Sequence, residues 1–461
     1  MSKLSLLDLA FFIAETDASP KHVAGLQIFK RPPRSGVNFA RKLYQEWLTH
    51  TDVQAPFDRL IRFSLTALPR WETCEEVDLS QHIYYHKLDA GANQRQDLYA
   101  FVSALHVPVL DRAKPLWEVH VIDGVHGGQF AVYQKLHHAI ADGVTMTRWV
   151  SESLAEAADA PDPEPVWTHR HARGGKRAEA NWSMLQSAWE AMGGTRKRVL
   201  GVSRLATMLL LESVKLTKNA IALPFVSAGR TPLTGQVTAG RQFTSACVSL
   251  ERVDRIRAST RSTLNHVALT CLDGALHRYL QDQDVTLERP ITIQMPVNLR
   301  QEGDQSAGNK IGIIQVELSA PTDDPYVRLR NIGFSLRNVR TMIDSVAPQA
   351  IETYTLMAGL AGQLIETLKL SDRLPPMGNT LVSNVPGPKR HLYLKGARLE
   401  EMHPISTLPP SNLLNITLFS YAGNLYFGLI ATDELPGLDR LSAHVEEAFS
   451  ELERSIEAAA L

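Results

Sequence analysis

Two adjacent histidines and an Asp-Gly pair lie close together in the stretch YQKLHHAIADGVTMTRW, residues 133–149. His137 and His138 end an apolar run, and Asp142 and Gly143 follow four and five residues after the second histidine. An imidazole exposed at the end of a strand, with a pKa near neutral, is the natural general base for an O–H or S–H proton. Successive strand residues point to opposite faces, so the two rings cannot face one cavity if the strand continues through both.

The spacing of Asp142 allows two roles. A turn can bring its carboxylate back beneath His138, where it orients the imidazole, or the carboxylate can form a buried ion pair that holds the loop. We favour the ion pair, because a tight turn that ends in glycine needs a fixed carboxylate more than a base needs a third group. Arg62 and Arg300 are the candidate partners, and the sequence does not choose between them.

Other chemistries compete with this one. A histidine in a strand is more often a packed or surface residue than a base, and a His-His pair can be half of a metal site. The sequence has 16 histidines but no HExxH and no Cys/His cluster, so we expect no metal. It also has no GxSxG elbow, no P-loop and no GxGxxG turn. If the chain is an enzyme, these patterns favour direct attack with a single base and no cofactor.

The elements that must position these residues follow from periodicity. LWEVHVID alternates with period two, HGG makes a turn and QFAVYQKLHH forms a second strand, so residues 116–138 are predicted as a β-hairpin. Apolar residues at helical spacing after Gly143 predict a helix. Farther along, RPITIQMPVNLR, NKIGIIQVEL and TLVSNVPGPKR are typical of strands, NLLNITLFSYAGNLYFGLIAT of a hairpin and LDRLSAHVEEAFSELERSIEAA of an amphipathic helix. The alternation predicts an α/β protein with mixed sheets.

Length and composition narrow the class of protein. The 461 residues predict two domains, over 1–165 and 241–461, joined by a basic amphipathic linker over 166–240. A net charge of −1 gives no case for binding nucleic acid, and three isolated cysteines suit a reducing compartment. The N-terminus lacks the features of a signal peptide, and no stretch holds enough consecutive apolar residues to span a bilayer as a helix. We therefore expect a soluble or peripheral protein.

The predicted linker is locally basic. Residues 166–230 hold 11 Lys and Arg against 3 Glu and no Asp. Over 196–218 the pattern predicts an amphipathic helix, which is either a core helix with a solvated face or a segment that inserts its apolar side into a lipid surface. The sequence leaves both possibilities open.

The stretch HHAIADG resembles the HHxxxDG signature of the CoA-dependent acyltransferase superfamily. Further segments narrow the resemblance: LSLLDLAFFIAET, PLWE at 115–118, TLNHVALTCLDGALHRYL at 263–280, PVNLR at 296–300, GN at 308–309 and SNVPGP at 383–388. In this order, from residue 4 to near the C-terminus, the chain is similar to the bacterial bifunctional wax ester synthase/diacylglycerol acyltransferases.

That resemblance implies two chloramphenicol-acetyltransferase-like domains, each a mixed sheet with flanking helices, and an active-site tunnel at their interface. It implies acyl-CoA as the cosubstrate, without a further cofactor, and a long-chain alcohol or diacylglycerol as the acceptor. It also implies a cytoplasmic protein that associates with membranes or lipid inclusions. Cations of the linker are then candidates for contact with either lipid headgroups or CoA phosphates.

Residue by residue, the resemblance makes His138 the base, with His137, Asp142 and Gly143 completing the motif. The family usually has Asn-Asp where this chain has Asn265-His266, so Asn265 remains a candidate site residue and this chain lacks the acidic partner at that position. Substrate or structural support is assigned to a further set: Glu15, Pro115, Leu116, Trp117, Asn384, Val385, Pro386 and Gly387. Of these, we expect the Pro-Leu-Trp block to pack near the site and the Asn-Val-Pro-Gly block to form a rigid turn.

Two rival functions remain open. One is a condensation-type acyltransferase that uses another donor or nucleophile. The other is a non-catalytic lipid-binding protein of the same fold. The intact pair of His138 and Asp142 argues against a silent protein, because a degenerate copy has no reason to keep both.

Overall fold

The computed structural model describes residues 2–3, 6–63, 69–89, 94–171, 229–298, 311–346 and 348–459. These residues form two compact units. Of the described residues, the first unit holds those up to 171 together with 390–402, and the second unit holds the remainder from 229 onward. The second unit is therefore interrupted by a segment that belongs to the first.

The strands lie in chain order as follows: β1 (Ser2–Lys3), β2 (His22–Lys30), β3 (Arg59–Arg62), β4 (Arg70–Thr73), β5 (Ile83–Lys87), β6 (Trp117–Val125), β7 (Gln129–His137), β8 (Arg241–Ser249), β9 (Thr292–Asn298), β10 (Ile311–Glu317), β11 (Thr380–Pro386), β12 (Tyr393–Leu394), β13 (Ala397–Ile405), β14 (Leu414–Tyr421) and β15 (Asn424–Thr432). The helices are α1 (Leu6–Ala14), α2 (Phe39–Trp47), α3 (Gln94–His106), α4 (Gly143–Glu152), α5 (Leu250–Thr260), α6 (Leu264–Gln281), α7 (Pro325–Ser345), α8 (Pro348–Thr367) and α9 (Leu438–Ala459).

The first unit is built on a six-stranded mixed sheet in the order β12-β13-β2-β7-β6-β5. Strand β7 lies in its centre, antiparallel to both β2 and β6. The predicted hairpin of β6 and β7 and the helix after Gly143 are confirmed. The left-handed conformations of Gly127 and Gly128 (φ 66° and 73°) allow the hairpin turn. A small sheet of β1, β4 and β3 accompanies the large one.

The second unit is built on another six-stranded mixed sheet, in the order β10-β9-β11-β14-β15-β8. Strand β11 is parallel to β9 and β14, whereas the other neighbours are antiparallel. The strands, the hairpin and the last helix that periodicity predicts here are all observed. Helix α6 is buried over most of its length because apolar or small residues occupy most of positions 267–280. The predicted α/β class with two mixed sheets is confirmed.

The predicted domain boundaries are wrong in two respects. Strands β12 and β13 extend the first sheet although the sequence places them in the second domain. The ends of the predicted linker also belong to the units: Trp167 stacks on Trp117, and Leu233 lies in the core of the second unit. A hydrophobic pattern identifies a strand but not the sheet edge with which it pairs. The sequence therefore gives no local sign that β12 and β13 join the first sheet.

The described residues leave two of the predictions from the sequence untested. The amphipathic helix predicted over 196–218 lies outside the described residues. The tunnel implied by the family resemblance remains a prediction. Among the described helices, none combines the length and apolar character needed to cross a bilayer.

Candidate active site

His138 follows directly on the last residue of β7. Its backbone N–H donates to the Lys21 carbonyl (2.8 Å), and the N–H of Ile140 donates to the His137 carbonyl (2.8 Å). The chain therefore turns immediately after the strand. The ring of His138 stacks on Phe11 of α1, with centroids 4.3 Å apart, and the residue is only 9% exposed. Helix, strand end and turn together fix the position of this imidazole.

The protonation of His138 is set chiefly by burial. Burial lowers the pKa of its imidazole below the usual 6.5, because an imidazolium loses its hydration there. The negative charge of Asp142, the backbone of His138 itself and the charge of Asp8 act in the opposite direction but do not cancel the effect. At neutral pH the ring is therefore uncharged, which is the state a general base requires.

Asp142 caps the helix that follows. Its Oδ1 accepts a hydrogen bond from the backbone N–H of Thr145 (2.8 Å), and Gly143 is the first residue of α4. The side chain satisfies a helix N-terminus and brings its negative charge close to His138. Of the two candidate partners, Arg62 is excluded, because its guanidinium bonds Glu72 (2.6 Å) and is 58% exposed on β3. Arg300, the other candidate, lies outside the described residues.

His137 has a different environment from His138. Its Nδ1 accepts from the N–H of Ala139 (3.1 Å), so the ring proton is on Nε2, which lies 3.4 Å from Oε1 of Glu15. The ring stacks on Phe12 and is fully buried. The strand ends at His137, so the expected alternation does not extend to His138, and consecutive phenylalanines of α1 cover the two rings.

Glu15 is the centre of a buried polar network. Its side chain is 2% exposed and bonds Arg112 (2.9 Å), while it also accepts from the backbone N–H of Lys21 (3.1 Å). Burial alone would raise the pKa of this carboxyl, but the contact with His137 and the hydrogen bonds from Arg112 and Lys21 outweigh it and lower the pKa to about 2. Glu15 thus ties α1 to the strand end that bears the histidines.

The Pro-Leu-Trp block supports the same strand end. The Leu116 carbonyl accepts from the backbone N–H of His137 (3.0 Å), and the backbone N–H of Trp117 donates to the Pro115 carbonyl (3.0 Å). The indole N–H of Trp117 donates to the Phe57 carbonyl (2.9 Å), and its ring stacks on His82. These contacts are those of packing residues. A direct contact of this block with substrate remains a prediction.

The second unit brings two of the predicted motifs together. The side-chain amide of Asn384, on β11, donates to Oδ1 of Asn265, in the first turn of α6. The amide group of Asn265 therefore keeps its donor hydrogens for another partner. Gly387 follows the strand of Asn384 and Pro386, and a Cβ there would lie 2.3 Å from the Ser420 carbonyl oxygen. Only glycine allows this close approach of β11 and β14.

Sequence reasoning missed three residues of the first unit: Phe11, Lys21 and Arg112. Phe11 and Lys21 lie in or just after the N-terminal block that the resemblance covers, so the block gave a signal but not a role. Arg112 is 97 positions from Glu15, and no local pattern could join them. Within the described ranges, no three His, Cys, Asp or Glu side chains are grouped in a way that could hold a metal ion.

Comparison with known proteins supplies the context for these residues. The model of the wax ester synthase/diacylglycerol acyltransferase catalytic domain matches residues 4–268, and that of the corresponding C-terminal domain matches residues 307–453. A putative diacylglycerol O-acyltransferase of Mycobacterium bovis is 31% identical over 97% of this chain and 98% of its own length. A second one, from Mycobacterium tuberculosis, is 33% identical over 98% and 100%.

Solved structures agree with these relatives. The wax ester synthase/diacylglycerol acyltransferase of Marinobacter aquaeolei is 28% identical, with a TM-score of 0.79 over 99% of this chain and 100% of that one. The starter condensation domain of rhizomide synthetase is 13% identical, with a TM-score of 0.55 over 98% and 94%. The condensation domain is thus similar in fold alone.

Proposed function

The chain belongs to the wax ester synthase/diacylglycerol acyltransferase family and is an acyltransferase, and from this premise we propose that His138 is its general base. The reaction joins an acyl group from acyl-CoA to the hydroxyl of a lipid acceptor. Fold likeness to condensation domains carries no activity with it, so neither that reaction nor a silent lipid-binding role is favoured.

One observation carries the assignment to His138: a buried imidazole whose pKa is held low, fixed at a strand end beside Asp142 and stacked on Phe11. Its Nε2 takes the acceptor's hydroxyl proton as the oxygen attacks the thioester carbonyl. The C–S bond then breaks, and the imidazolium returns the proton to the CoA thiolate. The products are an ester and free CoA, and no covalent acyl-enzyme forms.

The tetrahedral intermediate needs hydrogen-bond donors at its oxyanion. Asn265 is the side chain we propose for this role, because its Oδ1 is occupied by Asn384 and its N–H donors remain for another group. A backbone N–H is the alternative donor. Asp142 contributes in two ways, by fixing the turn through its cap on α4 and by stabilising the imidazolium that forms on His138.

Diacylglycerol and a long-chain alcohol are the acceptors we propose. The mycobacterial relatives are named as diacylglycerol O-acyltransferases, and the Marinobacter enzyme is named for both activities. The products are then triacylglycerol and a wax ester. Three free cysteines, Cys74, Cys247 and Cys271, suit the reducing cytoplasm in which acyl-CoA is available.

The test is acceptor-dependent thiol release. Purified protein is mixed with palmitoyl-CoA and either hexadecanol or dioleoylglycerol in detergent micelles, and free CoA and lipid products are measured. We expect stoichiometric thiol and ester with each acceptor, and no burst of thiol without one. Thiol release that is independent of acceptor would contradict direct attack, and an absence of ester with both lipids would contradict the proposed substrates.

We also propose that the protein works at the surface of a membrane or lipid inclusion. Helix α7 supports this: Phe334, 60% exposed, lies between the exposed Arg330 and Arg337 on one face of the helix, and Tyr326 is 46% exposed. Exposed aromatic rings flanked by arginines suit an anionic lipid surface. This helix is a described alternative to the basic segment predicted over 196–218.

Vesicle flotation tests this surface. Binding to phosphatidylglycerol vesicles should exceed binding to phosphatidylcholine vesicles and fall at high salt. Arg330→Glu combined with Arg337→Glu should weaken it by about tenfold or more. Arg255→Glu, an exposed arginine on another helix of the same unit, is the matched control and should have little effect. Equal binding by both variants would exclude this face of α7.

A further inference from the structure

His266 occupies the position at which the family usually carries an aspartate. It lies in the first turn of α6, where the backbone N–H of His266 donates to the cap residue Thr263 (3.2 Å). Its ring leaves this helix and reaches α7, where Nε2 donates to the Leu329 carbonyl (2.5 Å). The side chain therefore connects the start of α6 to the neighbouring helix.

Gly333 makes room for this connection. A Cβ at position 333 would lie 2.4 Å from Cε1 and 2.6 Å from Nε2 of His266, so no other residue fits without moving the ring. Glycine in the interior of a long helix is unfavourable, since alanine in the same place stabilises a helix. The glycine in α7 is explained by the imidazole that packs over it.

The connection lies next to a residue of the proposed site. Asn265 precedes His266 and accepts a hydrogen bond from Asn384 through its Oδ1. The first turn of α6 is thus held on one side by β11 and on the other by α7. A side chain that fixes this turn also fixes the direction in which the Asn265 amide donates.

We propose that His266 is a positioning residue that acts through Asn265, and that its hydrogen bond to the Leu329 carbonyl takes the place of the family's acidic partner. This inference rests on the proposed function, because it takes Asn265 as the oxyanion donor. His266 does not take part in proton transfer in this account, since its Nε2–H is already donated to α7. Gly333 contributes to the same contact between α6 and α7, because its missing side chain leaves room for the His266 ring.

A mutant cycle tests the anchor. His266→Ala should lower kcat about tenfold with little change in KM for acyl-CoA, because a displaced donor weakens transition-state stabilisation more than binding. Gly333→Ala should lower both kcat and Tm in the presence of His266. In the His266→Ala background the same substitution should raise Tm, because the clash is gone and alanine favours the helix. The sign of the Tm change is the decisive readout.

A second cycle tests the route through Asn265. If His266 only positions Asn265, His266→Ala should have no further effect on kcat in an Asn265→Ala protein. His266→Gln keeps an N–H donor on the side chain and should retain more activity than His266→Ala. If the His266→Ala protein does not fold, His266→Gln is used in its place in both cycles. An equal loss of kcat with and without Asn265 would overturn the inference, as would a Tm change of one sign in both Gly333 experiments.

These outcomes are separable from failure of the proposed function. A wild-type protein that forms no ester with either acceptor would contradict the function itself. A wild-type protein that is active while His266→Ala retains full kcat would leave the function standing and remove His266 from any role in it.

Discussion

The rings of Phe11 and His138 stack face to face, with centroids 4.3 Å apart and 15° between their planes. Phe12 covers His137 in the same way, so two consecutive residues of α1 hold two consecutive histidines at the end of β7. This pairing explains how a short N-terminal helix can govern the chemistry of a residue more than 120 positions away. It also makes the protonation of His138 depend on the residues of α1.

Removal of the Phe11 ring should therefore change the pH dependence of catalysis. Activity requires the neutral imidazole, so the acidic limb of the kcat/KM profile should lie below pH 6.5 in the wild type. Phe11→Ala admits water, which favours the imidazolium and should move that limb to higher pH while kcat falls. Phe101→Ala, a substitution on α3 beside His86, should leave the limb where it is.

The two roles of Asp142 can be separated by two substitutions. Asparagine is as good a helix cap as aspartate, so Asp142→Asn should preserve stability but remove a charge that raises the pKa of His138. The acidic limb should then move to lower pH. Asp142→Ala removes the cap as well and should destabilise the protein by about 1 kcal/mol. Equal losses of stability in both variants would contradict the capping role.

Glu15 should make folding stability dependent on pH in the acidic range. The pKa of its carboxyl falls from 4.5 to about 2 on folding, so its contribution is complete above pH 4.5 and is lost as the pH drops toward 2. This contribution amounts to about 3 kcal/mol. Glu15→Gln should be less stable at neutral pH and should show a weaker dependence between pH 4.5 and 2, as measured by urea unfolding. Glu72→Gln, an exposed ion-pair partner, is the control.

Two glycine-to-alanine substitutions should change the free energy of unfolding in opposite directions. Gly387→Ala places a Cβ 2.3 Å from the Ser420 carbonyl oxygen, and the backbone cannot move away cheaply. We expect a loss of about 1–3 kcal/mol in the free energy of unfolding. Gly359→Ala lies within α8, where a Cβ would meet nothing within 4 Å. It should stabilise the protein by about 0.5–1 kcal/mol. Calorimetry of the two variants measures both changes in stability, and changes of the same sign would contradict the prediction.

The sequence predicted the elements around the site because each has a strong local period. The hairpin of β6 and β7 and the start of α4 follow from alternation and from an Asp-Gly turn. The contacts that the site residues make with distant parts of the chain could not be predicted in this way. Arg112 reaches Glu15 from a distant loop, and the hairpin of β12 and β13 joins a sheet that its neighbours in sequence do not. Such contacts depend on tertiary packing and leave no periodic signal.

The sequence could not choose between Arg62 and Arg300 as the partner of Asp142 for a related reason. The sequence required only some arginine for a buried carboxylate, and no pattern showed that β3 would expose this one beside Glu72. In contrast, the departure from the family pattern at His266 was visible in the sequence. Its consequence became clear only when the ring was found over Gly333.

The most direct test of the account is the turnover of a His138→Ala protein in the thiol-release assay, beside His126→Ala, an exposed histidine at the far end of the same hairpin. Loss of a general base predicts a fall in kcat of about 10²- to 10⁴-fold for His138→Ala, with near wild-type turnover for His126→Ala and an unchanged melting temperature for both. A His138→Ala protein that keeps kcat within a few-fold of the wild type would contradict the central claim.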